Sequence, residues 1–256
     1  MSKSFDKLVK IVRRLRAPGG CPWDREQTHK SLRPYLIEEV YELVDAIDSE
    51  NYDDMKEELG DVLLHIIFHT DIRAEAGDFD IDDVIEYVCA KLIRRHPHVF
   101  GDVEVSGADE VLHNWENIKL SERKENDENA SLLDGIPRSM PALLVAQRMQ
   151  EKAARIGFDW TEIEDVREKL REEISELDEA LKSNDADKIE DEIGDVLFVI
   201  TNLARFLKIN SEMALRRTNE KFSKRFRYIE KKLREKKIEE PTLEIMDKFW
   251  NEAKGK

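Results

Sequence analysis

The chain has 256 residues, of which 40% are apolar and 39% charged, and its formal net charge at pH 7 is −15. This is the composition of a globular protein with one large or two ordinary domains, and the negative charge argues against binding to a nucleic acid polymer. No run of about 18 uncharged apolar residues occurs, and the segment MSKSFDKLVKIVRRLRAPGG lacks the apolar stretch of a signal peptide. We therefore expect no membrane partner and a cytoplasmic location.

Glycine and proline fall between segments of helical period, so the pattern predicts an all-α chain. The predicted helices cover residues 4–16, 28–49, 52–76, 80–95 and 108–120, and then 140–155, 163–183, 186–207, 211–237 and 242–254. The polar segment 121–141 between the two sets is broken by Gly135, Pro137 and Pro141, which marks a boundary. We predict a helical domain over residues 1–120, a linker over 121–139 and a second helical domain over 140–256.

The two sets of helices are copies of one unit. When the sequence is shifted by 134 positions, residues 36–64 align with 170–198 without a gap, and 13 of the 29 pairs are identical. Each half also ends with a tryptophan followed four residues later by a lysine, at Trp115 and at Trp250. An internal duplication explains this pattern and predicts two tandem, similar helical bundles.

Acidic residues adjoin the apolar face of two helices in each half. Residues three or four apart share a helix face, so Glu39 and Glu42 point the same way, as do Glu58 and Asp61 on the next helix. A short turn between antiparallel helices would gather these carboxylates, which repel one another unless a cation lies among them. Oxygen ligands without His or Cys favour Mg²⁺, or else Mn²⁺. The second half repeats the predicted metal ligands as Glu173, Glu176, Glu192 and Asp195.

A solvated acidic face is the simpler interpretation of such residues, since most Glu-rich helices are paired with Lys at the surface. Here the acids adjoin apolar residues such as Val40 and Leu43, and few Lys or Arg lie at helical spacing to neutralise them. The copies also retain the acids while positions between them diverge, as at Glu50 and Asn184. These features favour a metal site.

Cationic and aromatic residues are candidates for contacts with a phosphorylated ligand. A magnesium site built from carboxylates usually keeps open positions for substrate phosphates, which cationic side chains then face. The first half offers Lys91 and Arg95, and the second offers Lys221 and Arg225 at the same i, i+4 spacing. The two half-ending tryptophans, Trp115 and Trp250, are suited to stacking on a nucleobase, although a tryptophan in a helix more often packs in a core.

His65 and His69 have an i, i+4 spacing that can bind Zn or Ni. Their counterparts in the second half are Val199 and Leu203. Chemistry shared by the two halves therefore cannot need them, and we interpret them as packing residues or as residues with a role confined to the first half.

Taken together, these motifs resemble a known family. The acidic pattern of both halves occurs in order with GCPWDREQTHKSLRPYLIEEVYELVDAI, RRHPHVFG and GFDW. This set is similar to the MazG family, two-domain nucleoside triphosphate pyrophosphohydrolases of the all-α NTP pyrophosphatase superfamily, over almost the whole chain. The resemblance implies a homodimer that hydrolyses NTPs to NMP and pyrophosphate by attack of water on the α-phosphorus, with Mg²⁺ held by the carboxylates.

The resemblance also implies residue roles. Glu38 and Glu172 would orient or deprotonate the attacking water, and the carboxylates named above would be the metal ligands. Lys221 and Arg225 would meet the phosphates, Trp250 the base, and Lys188 the nucleotide.

The halves differ at two of these positions. Lys188 aligns with Asp54, and Asn219, two residues before Lys221, corresponds to Cys89. Both exchanges remove from the first half groups that suit a triphosphate. We therefore expect the second domain to be the main catalytic site.

Other interpretations remain open at the level of the sequence. A helical scaffold with metal bound only for stability, a narrower dUTP or phosphoribosyl-ATP pyrophosphatase, and additional hydrolysis of pyrophosphate all fit the acids. A di-iron carboxylate bundle fits less well, because it requires Glu-x-x-His pairs.

Overall fold

The structure, a computed structural model, describes residues 3–125 and 127–254 and contains helices but no strand in these ranges. The helices are α1 (Lys3–Arg16), α2 (Pro22–Glu26), α3 (His29–Asp48), α4 (Tyr52–Ala76), α5 (Ile81–Arg95), α6 (Pro97–Phe100), α7 (Ala108–Lys124), α8 (Ala142–Arg155), α9 (Ile163–Ser183), α10 (Ala186–Phe206), α11 (Ser211–Glu235) and α12 (Leu243–Lys254). The all-α prediction is confirmed. The two short helices α2 and α6, each begun by a proline, were not predicted.

The chain divides into two compact units, Met1–Trp115 and Glu116–Lys256, which we call the first and second unit. The division falls within α7. The predicted limits of the domains and of the linker stay predictions. None of the described helices has the length and hydropathy needed to cross a bilayer.

The first unit is built on a helical hairpin of α3 and α4, with α1 and α5 packed on α4. A capping box at Thr28 begins α3, the Asn51 side chain caps α4, and Gly77 ends α4 in the left-handed conformation. The buried apolar side chains of the core are Val9, Val12, Leu32, Ile67, Phe68 and Ile81. This core fixes the faces of α3 and α4 that carry the acids.

A buried arginine fastens α1 to α4. Arg16, whose side chain is 4% exposed, pairs with Asp71 at 3.4 Å and with Glu75 at 2.7 Å. Its Nη1 also donates to the carbonyl oxygen of Asp24 at 2.6 Å. The buried Asp71 carboxylate also pairs with Arg13 on α1 at 3.4 Å, so two arginines of α1 offset the cost of burying its charge.

The second unit repeats the hairpin with α9 and α10 and adds α8, α11 and α12. Gln150 Nε2 on α8 donates to the carbonyl oxygen of Phe198 at 2.8 Å, which ties α8 to α10. The two hairpins turn in the same way, because the equivalent residues Glu50 and Asn184 both have φ near 54°. The duplication seen in the sequence is therefore also a duplication of backbone conformation.

Each hairpin leaves apolar side chains exposed at equivalent positions. The exposed pairs are Val40 with Ile174, Ile47 with Leu181, Leu59 with Ile193, and Ile66 with Ile200. Their exposed fractions lie between 41% and 52%. We call these residues the apolar faces of the hairpins.

Candidate metal and nucleotide sites

The hairpin of the first unit brings three carboxylates together. Oxygen atoms of Glu39 on α3 and of Glu58 and Asp61 on α4 all lie within 4.8 Å of one another, and the three residues are half-buried. Glu42, one turn after Glu39, is exposed but near enough to form a hydrogen bond with the Glu39 carboxyl. The first acidic cluster thus forms where the i, i+3 spacing predicts it.

Mutual repulsion marks this cluster as a site that lacks positive charge. Burial, together with the neighbouring charges of Asp61, Glu42 and Glu58, raises the pKa of Glu39 to about 7. Burial also raises the pKa of Glu58, with additional contributions from Glu42 and Asp61. A carboxyl group that holds its proton near neutral pH responds strongly to a cation, because the cation favours its charged form.

The hairpin of the second unit forms a similar cluster from Glu173, Glu176 and Glu192, whose oxygens also lie within 4.8 Å of one another. Glu173 is buried, with 5% of the residue exposed. Burial raises the pKa of Glu176, followed by the charges of Glu173 and Glu192. Asp195, the fourth predicted ligand, is exposed and lies outside this group.

One carboxylate oxygen in the second cluster is able to accept a hydrogen bond or to bind a cation. Glu192 Oε2 is buried and has no hydrogen-bond partner among the described residues. Leaving such an atom unpaired costs free energy. Hard oxygen donors without His or Cys suit Mg²⁺, so the residues present fit a magnesium ion in both units.

The second cluster has a built-in counter-ion that sequence reasoning missed. Lys169 Nζ lies 2.8 Å from Glu172 Oε1 and 2.7 Å from Glu173 Oε1. These hydrogen bonds raise the pKa of Lys169 above its usual range. The equivalent residue of the first unit is Tyr35. The i, i+4 spacing between Lys169 and Glu173 was a signal for this contact.

A glycine lies between the two acidic residues on the second helix of each hairpin. It is Gly60 on α4 and Gly194 on α10. A Cβ atom built at either position would meet no described atom within 4 Å. Packing within the chain therefore does not require a glycine there, although glycine weakens a helix by about 1 kcal/mol relative to alanine.

The cationic and aromatic candidates are arranged differently in the two units. In the second unit the Arg225 guanidinium lies 5.3 Å from the centre of the Trp250 ring, and Phe222 packs on the same ring at 5.2 Å. In the first unit Trp115 instead meets the edge of His96 at 4.7 Å. Lys91 Nζ lies 5.5 Å above the Tyr87 ring.

The remaining predicted residues lie at the surface or near it. Asn219 and Lys221 are exposed on α11, and Arg95 on α5 is half-buried. Lys188 is exposed at the start of α10, with its Nζ 3.8 Å from Asp185. The two predicted water-orienting residues, Glu38 and Glu172, are exposed beside their clusters, and of these Glu172 is held by Lys169.

The histidines of the first unit form a pair of their own. His29 Nδ1 and His69 Nδ1 are 2.7 Å apart, and the two rings stack with centroids 5.0 Å apart. Burial lowers the pKa of His69, and the neighbouring His29 and His65 lower it further. This contact joins the start of α3 to α4, so His69 contributes to the packing of the hairpin.

Comparison with known proteins gives one family over both hairpins. The family model described as the MazG nucleotide pyrophosphohydrolase domain matches residues 27–100 and again residues 161–229, together more than half of the chain.

Two curated relatives match over nearly their full length. The nucleoside triphosphate pyrophosphohydrolase/pyrophosphatase MazG of Thermotoga maritima is 48% identical over 98% of this chain and 96% of its own length. The nucleoside triphosphate pyrophosphohydrolase of Escherichia coli K12 is 44% identical over 98% of this chain and 97% of its own length. An uncharacterised protein of Bacillus subtilis, YabN, is 49% identical over 98% of this chain but over only 51% of itself.

The duplicated hairpins, the paired acidic clusters and these matches agree, and the chain belongs to the MazG nucleotide pyrophosphohydrolase family, with two copies of the family's domain.

Proposed function

We propose that this protein hydrolyses nucleoside triphosphates, both NTPs and dNTPs, to the monophosphate and pyrophosphate. The observation that carries the proposal is the acidic cluster that each duplicated hairpin forms, in a chain whose relatives are named for this reaction. The same clusters fit magnesium, which we propose as the cofactor, with manganese as a substitute. Nucleotide substrates favour a cytoplasmic location.

In the proposed second site, Glu173, Glu176, Glu192 and Asp195 hold the metal. When bound, magnesium supplies positive charge that neutralises the substrate phosphates and favours attack at the α-phosphorus. Asp195 would be the fourth ligand, one turn after Glu192 on α10. In the first site Glu39, Glu42, Glu58 and Asp61 have the same role.

The chain's own residues then position water and substrate. Glu172 accepts a proton from the attacking water, and the hydrogen bond from Lys169 fixes its carboxylate. Glu38 is the matching residue of the first unit. Lys221 and Arg225 hold phosphate oxygens, Asn219 and Lys188 contribute polar contacts, and Trp250 stacks on the base. Since Arg225 already lies against Trp250, one side of the base site is formed before the substrate arrives.

We further propose that the second unit carries most of the activity. Its cluster contains the counter-ion Lys169, and its tryptophan is flanked by an arginine. In the first unit Trp115 contacts His96 instead. Lys91, Arg95 and Trp115 therefore form a weaker or differently specific nucleotide site in this proposal.

A homodimer is proposed on the basis of the apolar faces of the hairpins. Eight apolar side chains at equivalent positions are 41–52% exposed, and burial of apolar surface is what stabilises association. A second copy of this chain would cover equivalent residues in both hairpins.

The test of the proposed function is product analysis. The full chain is incubated with Mg²⁺ and each NTP and dNTP, and the products are separated. We expect NMP and pyrophosphate, no reaction with chelator, and loss of most turnover in Glu173→Gln/Glu176→Gln but not in the matched Glu39→Gln/Glu42→Gln variant. NDP and phosphate as products would refute attack at the α-phosphorus.

The same assay separates the alternatives. Metal-dependent stability without turnover would indicate a scaffold, and reaction with dUTP or phosphoribosyl-ATP alone would indicate a narrower enzyme. Release of phosphate from added pyrophosphate would show the second activity that the name of the Thermotoga maritima relative includes.

A further inference from the structure

The second unit contains a charged cavity that the proposed nucleotide site does not use. It has a volume of about 310 Å³ and lies among the end of α7, the segment before α8 and α8 itself. Its charged lining residues are Glu116, Lys119, Arg148, Glu151, Lys152 and Arg155. The proposed metal ligands and nucleotide contacts of this unit are on α9, α10, α11 and α12, so the cavity is a separate feature.

Three cations converge on one carboxylate in this cavity. Lys119 Nζ and Arg155 Nη1 lie 3.1 and 2.7 Å from Glu116 Oε1, and Lys152 Nζ lies 3.1 Å from Glu116 Oε2. Burial alone would raise the pKa of Glu116, but the hydrogen bonds from the two lysines lower it to about 2. The carboxylate is therefore charged at every physiological pH, and it is shared among more positive charge than it can neutralise.

The side chains of these three cations are held by contacts within the unit and are largely buried. Lys152 is 7% exposed, and its Nζ also donates to the carbonyl oxygen of Leu132 at 3.0 Å. The side chains of Lys119 and Arg155 are 23% and 25% exposed. Burial lowers the pKa of Lys152, and the nearby charges of Lys119 and Arg123 add to that effect while Glu116 opposes it.

The charge balance of the lining favours an anion. Arg148 and Glu151 form a pair at 2.7 Å, so among the described lining residues Glu116 is the one other carboxylate that faces Lys119, Lys152 and Arg155. Desolvated cations in excess lower their free energy by binding an anion, as carboxylates do by binding a metal. Arginine and lysine together provide the donors by which proteins hold phosphate oxygens.

We propose that this cavity, lined by Lys119, Arg148, Lys152 and Arg155, is a second anion-binding site for a small ligand of the phosphate class. Its volume is at the lower end of small-molecule sites, which span about 300–1,000 Å³. It suits inorganic phosphate, pyrophosphate or the phosphate group of a monophosphate better than a whole triphosphate with its metal. If the proposed function holds, pyrophosphate and the monophosphate are the products of the reaction. The fraction of the site that is occupied then changes with their concentration.

The test is calorimetric titration of the full chain with inorganic pyrophosphate in chelator, at constant ionic strength, so that the acidic clusters cannot bind anions through a metal. We expect saturable binding that Arg155→Gln weakens at least tenfold. Glu116 keeps Lys119 and Lys152 as partners in this variant, so the fold is retained. Arg167→Gln, which removes an exposed arginine paired with Glu164 at 2.8 Å, is the matched control and should bind as the wild type does.

Two further variants make the result decisive. Lys221→Gln should keep the binding, and its loss there would place the anion in the nucleotide site and overturn the proposal. Met140→Glu puts a carboxylate at the cavity wall, so it should abolish binding and at the same time raise the melting temperature, which a merely disruptive substitution would lower. Absence of binding to the wild type, or unchanged binding in Arg155→Gln, would also overturn it.

Parallel titrations identify the ligand, and they do not depend on turnover. Phosphate, pyrophosphate and AMP compete for one site if the shared phosphate chemistry is what the cavity recognises. Binding of phosphate or pyrophosphate that Arg155→Gln leaves intact would contradict the assignment, even in a protein that hydrolyses NTPs normally.

Discussion

The first acidic cluster makes a prediction about stability that is opposite to the usual effect of removing a polar interaction. Glu39→Gln keeps the shape of the side chain but removes its charge. In the absence of divalent metal, the variant should be more stable than the wild type at pH 8. The reason is that Glu39 then carries a charge surrounded by Asp61, Glu42 and Glu58, which the amide lacks.

The size and the pH range follow from the pKa of Glu39. A carboxyl whose pKa rises on folding stabilises the protein below its ordinary pKa of 4.5 and loses that contribution as the pH rises through about 7. The full difference corresponds to about 3.4 kcal/mol at most, and solvent screening at a half-exposed group reduces it to roughly 1–2 kcal/mol. For a unit the size of Met1–Trp115, 1 kcal/mol is about 4 °C in melting temperature.

The measurement is differential scanning calorimetry of the full chain at pH 5 and pH 8, in chelator and in Mg²⁺. The variant should gain on the wild type between pH 5 and pH 8 in chelator and should lose part of the stabilisation by Mg²⁺. Glu86→Gln on α5 is the control for a surface carboxylate. A Glu39→Gln protein that is less stable than the wild type at pH 8 in chelator would refute the repulsion argument.

Two other substitutions test the charges around the hairpins. Arg16→Met should cost about 1–3 kcal/mol in urea unfolding, because it removes the buried one of the two arginines that pair with Asp71 and leaves only the exposed Arg13; an unchanged free energy of unfolding would contradict that dependence. Lys169→Met should lower the melting temperature in chelator and enlarge its rise with Mg²⁺, since the metal no longer competes with the ammonium for Glu173. Arg167→Met is the control. If Mg²⁺ raises the melting temperature of Lys169→Met by no more than that of the wild type, Lys169 does not compete with the metal.

The fold was accessible from the sequence because two independent signals coincide in the hairpins. Glycine, proline and capping residues mark the ends of the long helices. The repeat at a shift of 134 positions indicates that both halves have the same fold. The short helices α2 and α6 lacked such signals, since four or five residues show no period. A proline after Cys21 and another after His96 were the available indications of these two helices.

The acidic clusters could be predicted only as sets of residues on shared faces. Spacing places Glu176 and Glu173 on one side of α9, but which carboxylates approach within 4.8 Å depends on rotamers that burial and repulsion decide. Asp195 shows this limit, because it lies one turn after Glu192 on α10 but is exposed and outside the group of three carboxylates. Ion pairs over longer separations, such as those around Glu116, have no periodic signal at all.

Gly60 and Gly194 have a consequence for engineering and for evolution. Alanine at either position fits the empty space beside the helix and should strengthen that helix by about 1 kcal/mol. The isolated chain would therefore gain stability from a substitution one residue away from a proposed metal ligand. Selection for stability alone would favour alanine at both positions, so packing among the described residues does not account for the two glycines.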